Sequence, residues 1–103
     1  MDDEYVEAVL SLVESIPPGR VMSYGAIAEV IGAALGRGGP RLVGSVTANY
    51  GGAVPWWRVV TASGRLPPGH EVAALRELVA EGCALAADGE RVDMRRAAWT
   101  PRP

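Results

Sequence analysis

The sequence predicts a mainly α-helical domain over residues 1–103, with about four helices and one short β-hairpin. Two observations carry that prediction. Apolar residues recur at helical spacing in four stretches, and glycine or proline closes them. Cys83-Ala84-Leu85 and Arg91-Val92-Asp93 flank an Asp88-Gly89 turn and read as a small hairpin. A hydrophobic content of 49% with 21% charged residues belongs to a folded globule with one core.

Asp2 or Asp3 caps a first helix that runs to about Ile16, with Val6, Val9, Leu10, Val13 and Ile16 as its apolar stripe. Its early acids suit the helix dipole, and Pro17-Pro18-Gly19 ends it. After the extended link Arg20-Val21-Met22, Ser23 caps a second helix with Ile27, Val30 and Ile31 on one face and Gly32 as its stop. Residues 32–39 form a glycine-rich turn with room for one helical turn at Ala33–Leu35. Pro40 opens a third helix to about residue 50, with Val43, Val46 and Tyr50 inward. Arg41, Gly44, Ser45 and Ala48 leave its other side small and flat apart from one arginine. This is the pattern of a helix-turn-helix; an ordinary αα-hairpin would read the same way. A fourth helix spans about 71–82, with Val72, Leu75, Leu78 and Val79 inward. The fold class is winged helix-turn-helix-like.

The net charge is −2, but it is unevenly spread. Residues 1–19 hold five acids and no base, whereas residues 20–68 hold five arginines against Glu29 alone. All ten basic residues are arginine, a side chain suited to phosphate and base edges. The middle of the chain can therefore carry an anionic partner. A single cysteine, Cys83, excludes an internal disulfide framework and a cysteine-rich zinc site. No apolar run is long enough to span a bilayer, and the acidic start Met1-Asp2-Asp3-Glu4 has the wrong sign for a signal peptide. The expectation is a cytoplasmic protein, nucleoid-associated if bacterial, with no membrane partner.

Pro55-Trp56-Trp57-Arg58-Val59-Val60 concentrates two of the three tryptophans of a chain that has no phenylalanine. Pro55 stiffens the approach, and the two valines favour an extended segment. Neighbouring extended residues point to opposite faces, and each indole N–H needs a partner. One tryptophan is therefore expected to line a cleft, against the plainer reading that both are core.

Four patches, in order and at suitable spacing, resemble the C-terminal domain of O6-alkylguanine-DNA alkyltransferases. They are the segment from Ile16 through Pro17-Pro18-Gly19-Arg20-Val21-Met22-Ser23-Tyr24 to Ala28, then Arg41-Leu42-Val43-Gly44-Ser45-Val46, Pro55-Trp56-Trp57-Arg58-Val59 and Glu81-Gly82. The resemblance covers roughly residues 6–86. Trp56 falls where that family has its nucleophilic cysteine, and Trp57 where it has the activating histidine. An indole cannot accept the alkyl group. The chain resembles the alkyltransferase-like sister group, which carries tryptophan at the cysteine position.

That resemblance implies a non-enzymatic protein without catalytic residue, metal or cofactor. Its partner would be double-stranded DNA containing O6-alkylguanine, bound through the minor groove with the base flipped. The lesion would then be flagged for other proteins, such as those of nucleotide excision repair; a monomer is expected. Arg41 matches the finger that fills the vacated stack, the simpler role being a phosphate contact. Tyr24 matches the residue that crowds the neighbouring phosphate, the simpler role being core packing. Trp56 would form the pocket wall, with Gly44, Ser45 and Ala48 near the groove and Arg65 reaching the base from its loop. Asn49 matches a hinge between recognition helix and active-site loop. Pro55, Trp57, Arg58 and Glu81 would support the site: Arg58 pairs with Glu81, which loses the group it would orient because Trp57 replaces the histidine. His70 reads as a surface residue and Cys83 as a buried structural thiol. A winged helix-turn-helix transcription regulator is the alternative, although the small face of residues 41–48 argues against major-groove readout. An enzyme using Cys83 would lack a neighbouring base.

Overall fold

The computed structural model describes residues 2–102; Met1 and Pro103, the ends of the expected 1–103 unit, lie outside the described residues. Helix α1 (Asp3–Ser15) begins at Asp2, whose carboxylate accepts the Tyr5 N–H at 3.2 Å. Of its expected stripe, Val9, Val13 and Ile16 are buried, whereas Val6 and Leu10 are only half-buried. Tyr5 completes the buried face instead. A Cβ at Gly38 would come within 2.3 Å of the Tyr5 ring, and Gly38 has φ +91°. The aromatic ring thus fixes the turn ahead of the third helix by occupying the space of a missing side chain.

Helix α2 (Tyr24–Leu35) is capped by Ser23, whose hydroxyl accepts the Ala26 N–H at 3.0 Å. The expected stop at Gly32 is corrected: the helix continues to Leu35 and ends at Gly36, with φ +72°. A glycine inside a helix costs roughly 1 kcal/mol. Carrying Leu35 onto the core offsets that cost, and Gly36 supplies the left-handed cap. Helix α3 (Pro40–Tyr50) buries Val43 and Val46 against its neighbours. Tyr50 is 48% exposed rather than inward, because the helix ends there and the chain turns off through a 3-10 turn, Gly51–Ala53.

Strands β1 (Met22–Ser23) and β2 (Val59–Val60) pair in parallel, Met22 opposite Val59 and Ser23 opposite Val60. Met22 and Val59 face the core shared by α1, α2 and α3. Val21 and Val60 face a second core with Leu66, Ala74, Leu78, Cys83, Val92 and Ala97. The period of two along a strand makes this short ladder a partition between two apolar clusters. The expected hairpin is a single antiparallel bridge, Leu85 to Val92; the Val92 N–H turns away to Gly64 O at 2.9 Å.

Helix α4 (Glu71–Ala80) is shorter than expected, and its inward face differs. Ala74 and Leu78 are buried and Leu75 is half-buried, while Val72 and Val79 are 75% and 57% exposed. Residues 74, 78 and 81 share one helical face, and Glu81 is drawn inward by Arg58. That half-buried carboxylate sets the rotation of the helix. The tail adds an unexpected short helix, α5 (Met94–Ala97), pinned to the lead-in of β1 by Val21 N–H to Ala97 O at 3.0 Å. The described residues are thus mainly helical, with five helices and a two-stranded sheet.

Candidate nucleic-acid interface

An open cleft of about 790 Å³ lies along α3. Tyr24, Arg41, Gly44, Ala48, Trp56 and His70 line it, with Pro67 and Pro68 closing one side. Five of the residues singled out in the sequence therefore meet in one place. No carboxylate is among the cleft's lining residues, and Arg41 lies exposed at its edge. The cleft can accept an anionic chain bearing a flat apolar group.

Gly44 shows that the small face of α3 is not a packing requirement. A Cβ there would rest 3.9 Å from the Tyr24 ring, an ordinary contact. Glycine within a helix is less stable than alanine by roughly 0.5–1 kcal/mol. Gly44→Ala is therefore expected to raise stability by roughly 0.5–1 kcal/mol, read as a higher urea midpoint, while weakening binding of any nucleic acid that approaches α3. An unchanged affinity would mean that nothing approaches α3 closely at this position. Burial raises the Tyr24 phenol pKa, so its hydroxyl stays protonated and able to donate.

Trp56–Arg58 forms a 3-10 turn rather than extended chain. The two indoles therefore diverge around a tight turn instead of alternating across a strand. Trp56 faces the cleft; Trp57 turns to a half-buried carboxylate. Their rings stand edge to face, 5.7 Å apart at 83°. The Trp57 indole N–H donates to Glu81 Oε2 at 2.9 Å. Glu81 also accepts the Gly19 N–H at 2.9 Å and pairs with the Arg58 guanidinium at 2.6 Å. Arg58 reaches on to Ile16 O at 2.8 Å and lies 5.6 Å over the Trp57 ring. The expectation that Glu81 loses its partner is corrected, since the indole N–H takes that place. Burial alone would raise the Glu81 pKa, but hydrogen bonds from Arg58, Gly19 and Trp57 outweigh it and hold the carboxyl below its usual range.

Other expected site residues lie elsewhere. Ser45 is half-buried beside the cleft, and its carbonyl accepts the Asn49 side-chain N–H at 2.9 Å. The Asn49 amide thus bonds within its own helix and makes no link to the Trp56 loop. Arg65 lines an adjoining groove with Leu66, Glu71 and Arg91, which shares Thr61 and Pro68 with the cleft but does not include Trp56. The loop folds back at Gly64, with φ +87°, where a Cβ would lie 2.3 Å from Val92 O, and this fold carries Arg65 outward. The place beside Trp56 belongs to His70, whose ring meets the indole at 5.7 Å and 64°. His70 escapes a reading by residue type alone. The available signal was Pro67-Pro68-Gly69, a stiff turn closed by His70 N–H to Pro67 O at 3.1 Å. Cys83 is buried, and burial together with the Glu81 charge raises its thiol pKa, the reverse of an activated nucleophile.

This geometry has counterparts among known proteins. A DNA base-flipping protein of Vibrio parahaemolyticus serotype O3:K6 (strain AQ3810) is 29% identical over 103 residues, covering 96% of this chain and 99% of that protein. The DNA base-flipping protein of Escherichia coli (strain K12) is 31% identical over 102 residues, covering 95% and 76%. The fold matches the crystal structure of S. pombe Atl1 in complex with damaged DNA containing O6-carboxymethylguanine, with a TM-score of 0.79 at 27% identity over 98% of this chain and 99% of that one. A second S. pombe ATL structure, in complex with DNA, matches with a TM-score of 0.74 at 28% identity over the same shares of the two chains. The model of the 6-O-methylguanine DNA methyltransferase DNA-binding domain matches residues 4–82, and the chain belongs to that family, as its sequence resemblance implied.

Proposed function

We propose that this protein binds duplex DNA containing O6-alkylguanine through the minor groove, extrudes the damaged base against Trp56, and leaves the alkyl group in place. The observation that carries this reading is the cleft in which Trp56, Arg41 and Tyr24 converge along the small face of α3. Extruding a base costs a few kcal/mol, and base–aromatic contact is worth roughly 1–3 kcal/mol per base, so the Trp56 face is of the right magnitude to hold it. Arg41 at the cleft edge fills the vacated stack. Trp56 stands at the position that the resemblance gives to the nucleophile, and an indole has no thiolate-like nucleophile to take the alkyl group in that chemistry. Relatives named DNA base-flipping proteins and the Atl1 complex with a damaged duplex support the same reading.

In this reading the protein acts as a cytoplasmic, non-enzymatic monomer, and the bound lesion is handed to nucleotide excision repair. The test is binding to an oligonucleotide with one O6-methylguanine beside its unmodified twin, followed by mass analysis of both macromolecules. Tighter binding to the methylated duplex, with the methyl group still on the DNA, is expected. Methylated protein would overturn the non-enzymatic reading, and equal affinities would overturn lesion recognition.

A further inference from the structure

We infer that Trp57 is a positioning residue for lesion recognition, setting the ring of Trp56 in the cleft; this rests on the proposed function. Trp57 is held at three points. Its N–H is donated to Glu81 at 2.9 Å, its face lies 5.6 Å from the Arg58 guanidinium carbon, and its ring meets Trp56 edge to face. Glu81 is itself fixed by the Gly19 N–H and by Arg58, and Arg58 by the carbonyl of Ile16. A continuous set of contacts therefore runs from the end of α1 and the end of α4 to the back of Trp56.

Trp56 makes no hydrogen bond through its own indole among the described residues, so its orientation depends on packing. His70 and Trp57 are its two aromatic neighbours. His70 is exposed and stands at the end of a loop; Trp57 is half-buried and anchored. Anchoring distinguishes the two supports. A stacking wall recognises an extruded base only if its plane is set beforehand, because ordering it at the moment of binding subtracts from affinity. Binding to undamaged duplex, which rests on phosphate contacts, does not draw on that plane.

The experiment compares Trp57→Ala and Trp57→Phe with the unaltered protein at 10 °C. It reads the ratio of affinities for O6-methylguanine and unmodified duplexes. An edge-to-face aromatic pair implies that Trp57→Ala lowers the ratio roughly twofold to tenfold, with unmodified-duplex affinity held. Trp57→Phe keeps an aromatic edge but loses the N–H to Glu81, and is expected to lose at least about twofold. A purely structural role would lower the melting temperature yet leave the ratio unchanged in the variants that remain folded, and this would overturn the inference. If Trp57→Ala does not fold, Trp57→Phe decides alone. An unaltered protein that shows no preference for the lesion would overturn the proposed function itself, a separate outcome.

Discussion

Glu81→Ala is expected to cost about 2–4 kcal/mol of stability, somewhat below the penalty for stranding one partner of a fully buried ion pair, because Arg58 and Glu81 are half-buried. The side chains of Arg58 and Glu81 are only 12% and 14% exposed, so water replaces the lost carboxylate only in part. Three donors would be left without their acceptor: the Arg58 guanidinium, the Gly19 N–H and the Trp57 indole N–H. For a domain whose net stability is of order 5–15 kcal/mol, that loss approaches unfolding. Arg37→Ala is the comparison, because Arg37 also pairs with two carboxylates but in solvent, where such pairs contribute little. Urea melts of the two variants check the difference, and equal midpoints would refute the account. The pH dependence has a definite sign. The Glu81 carboxyl is depressed in the folded state, so its contribution is complete above about pH 4.5 and is lost as pH falls through the lower folded value. Melting temperature should therefore drop in acid, and Glu81→Gln should flatten that drop.

Arg41→Ala is expected to weaken binding to a methylated duplex roughly 30-fold, while a substrate with the target base already extruded loses less than about threefold. The difference follows from the few kcal/mol that unstacking costs in an intact helix. Arg41 is exposed at the edge of the cleft, on the first turn of α3, and among the described residues no carboxylate is paired with it. A guanidinium free of internal partners is available to enter the stack without breaking a bond within the protein. A phosphate contact would instead weaken both substrates alike and reduce the salt dependence by about one ion. Equal losses would assign Arg41 to the phosphate.

The parts legible in the sequence were those fixed by local chemistry. Asp2 and Ser23 cap helices because a short acceptor side chain reaches two or three residues ahead, and Pro40 starts a helix because its missing N–H costs nothing there. The grouping of Tyr24, Arg41, Gly44, Ala48 and Trp56 followed from a family resemblance and was met by the cleft. The Arg58–Glu81 pair, which the resemblance implied, is present at 2.6 Å, but its consequence for the rotation of α4 was not legible, because nothing between residues 71 and 80 announces it. The parallel strands are two residues each, too short to leave a periodic signal. Gly32 misled because a glycine stops a helix only where the next turn has nothing to bury, and here Leu35 does.

The strand pair also bears on how the protein reaches its native state. Met22 and Ser23 lead directly into α2, and Val59 and Val60 follow directly from Arg58, so two bonded residue pairs join segments far apart along the chain. Closing so long a loop carries an entropic penalty that must be met before the contacts within it are rewarded. Helices α1, α2 and α3 can nucleate from near neighbours, but the wall of the cleft exists only once this remote closure has occurred. A nascent chain released before residue 59 would carry Arg41 and Trp56 but lack the strand β2 that ties the Trp56 turn to β1. The proposed discrimination between damaged and undamaged DNA therefore depends on a contact between segments remote in the sequence and not on any one helix.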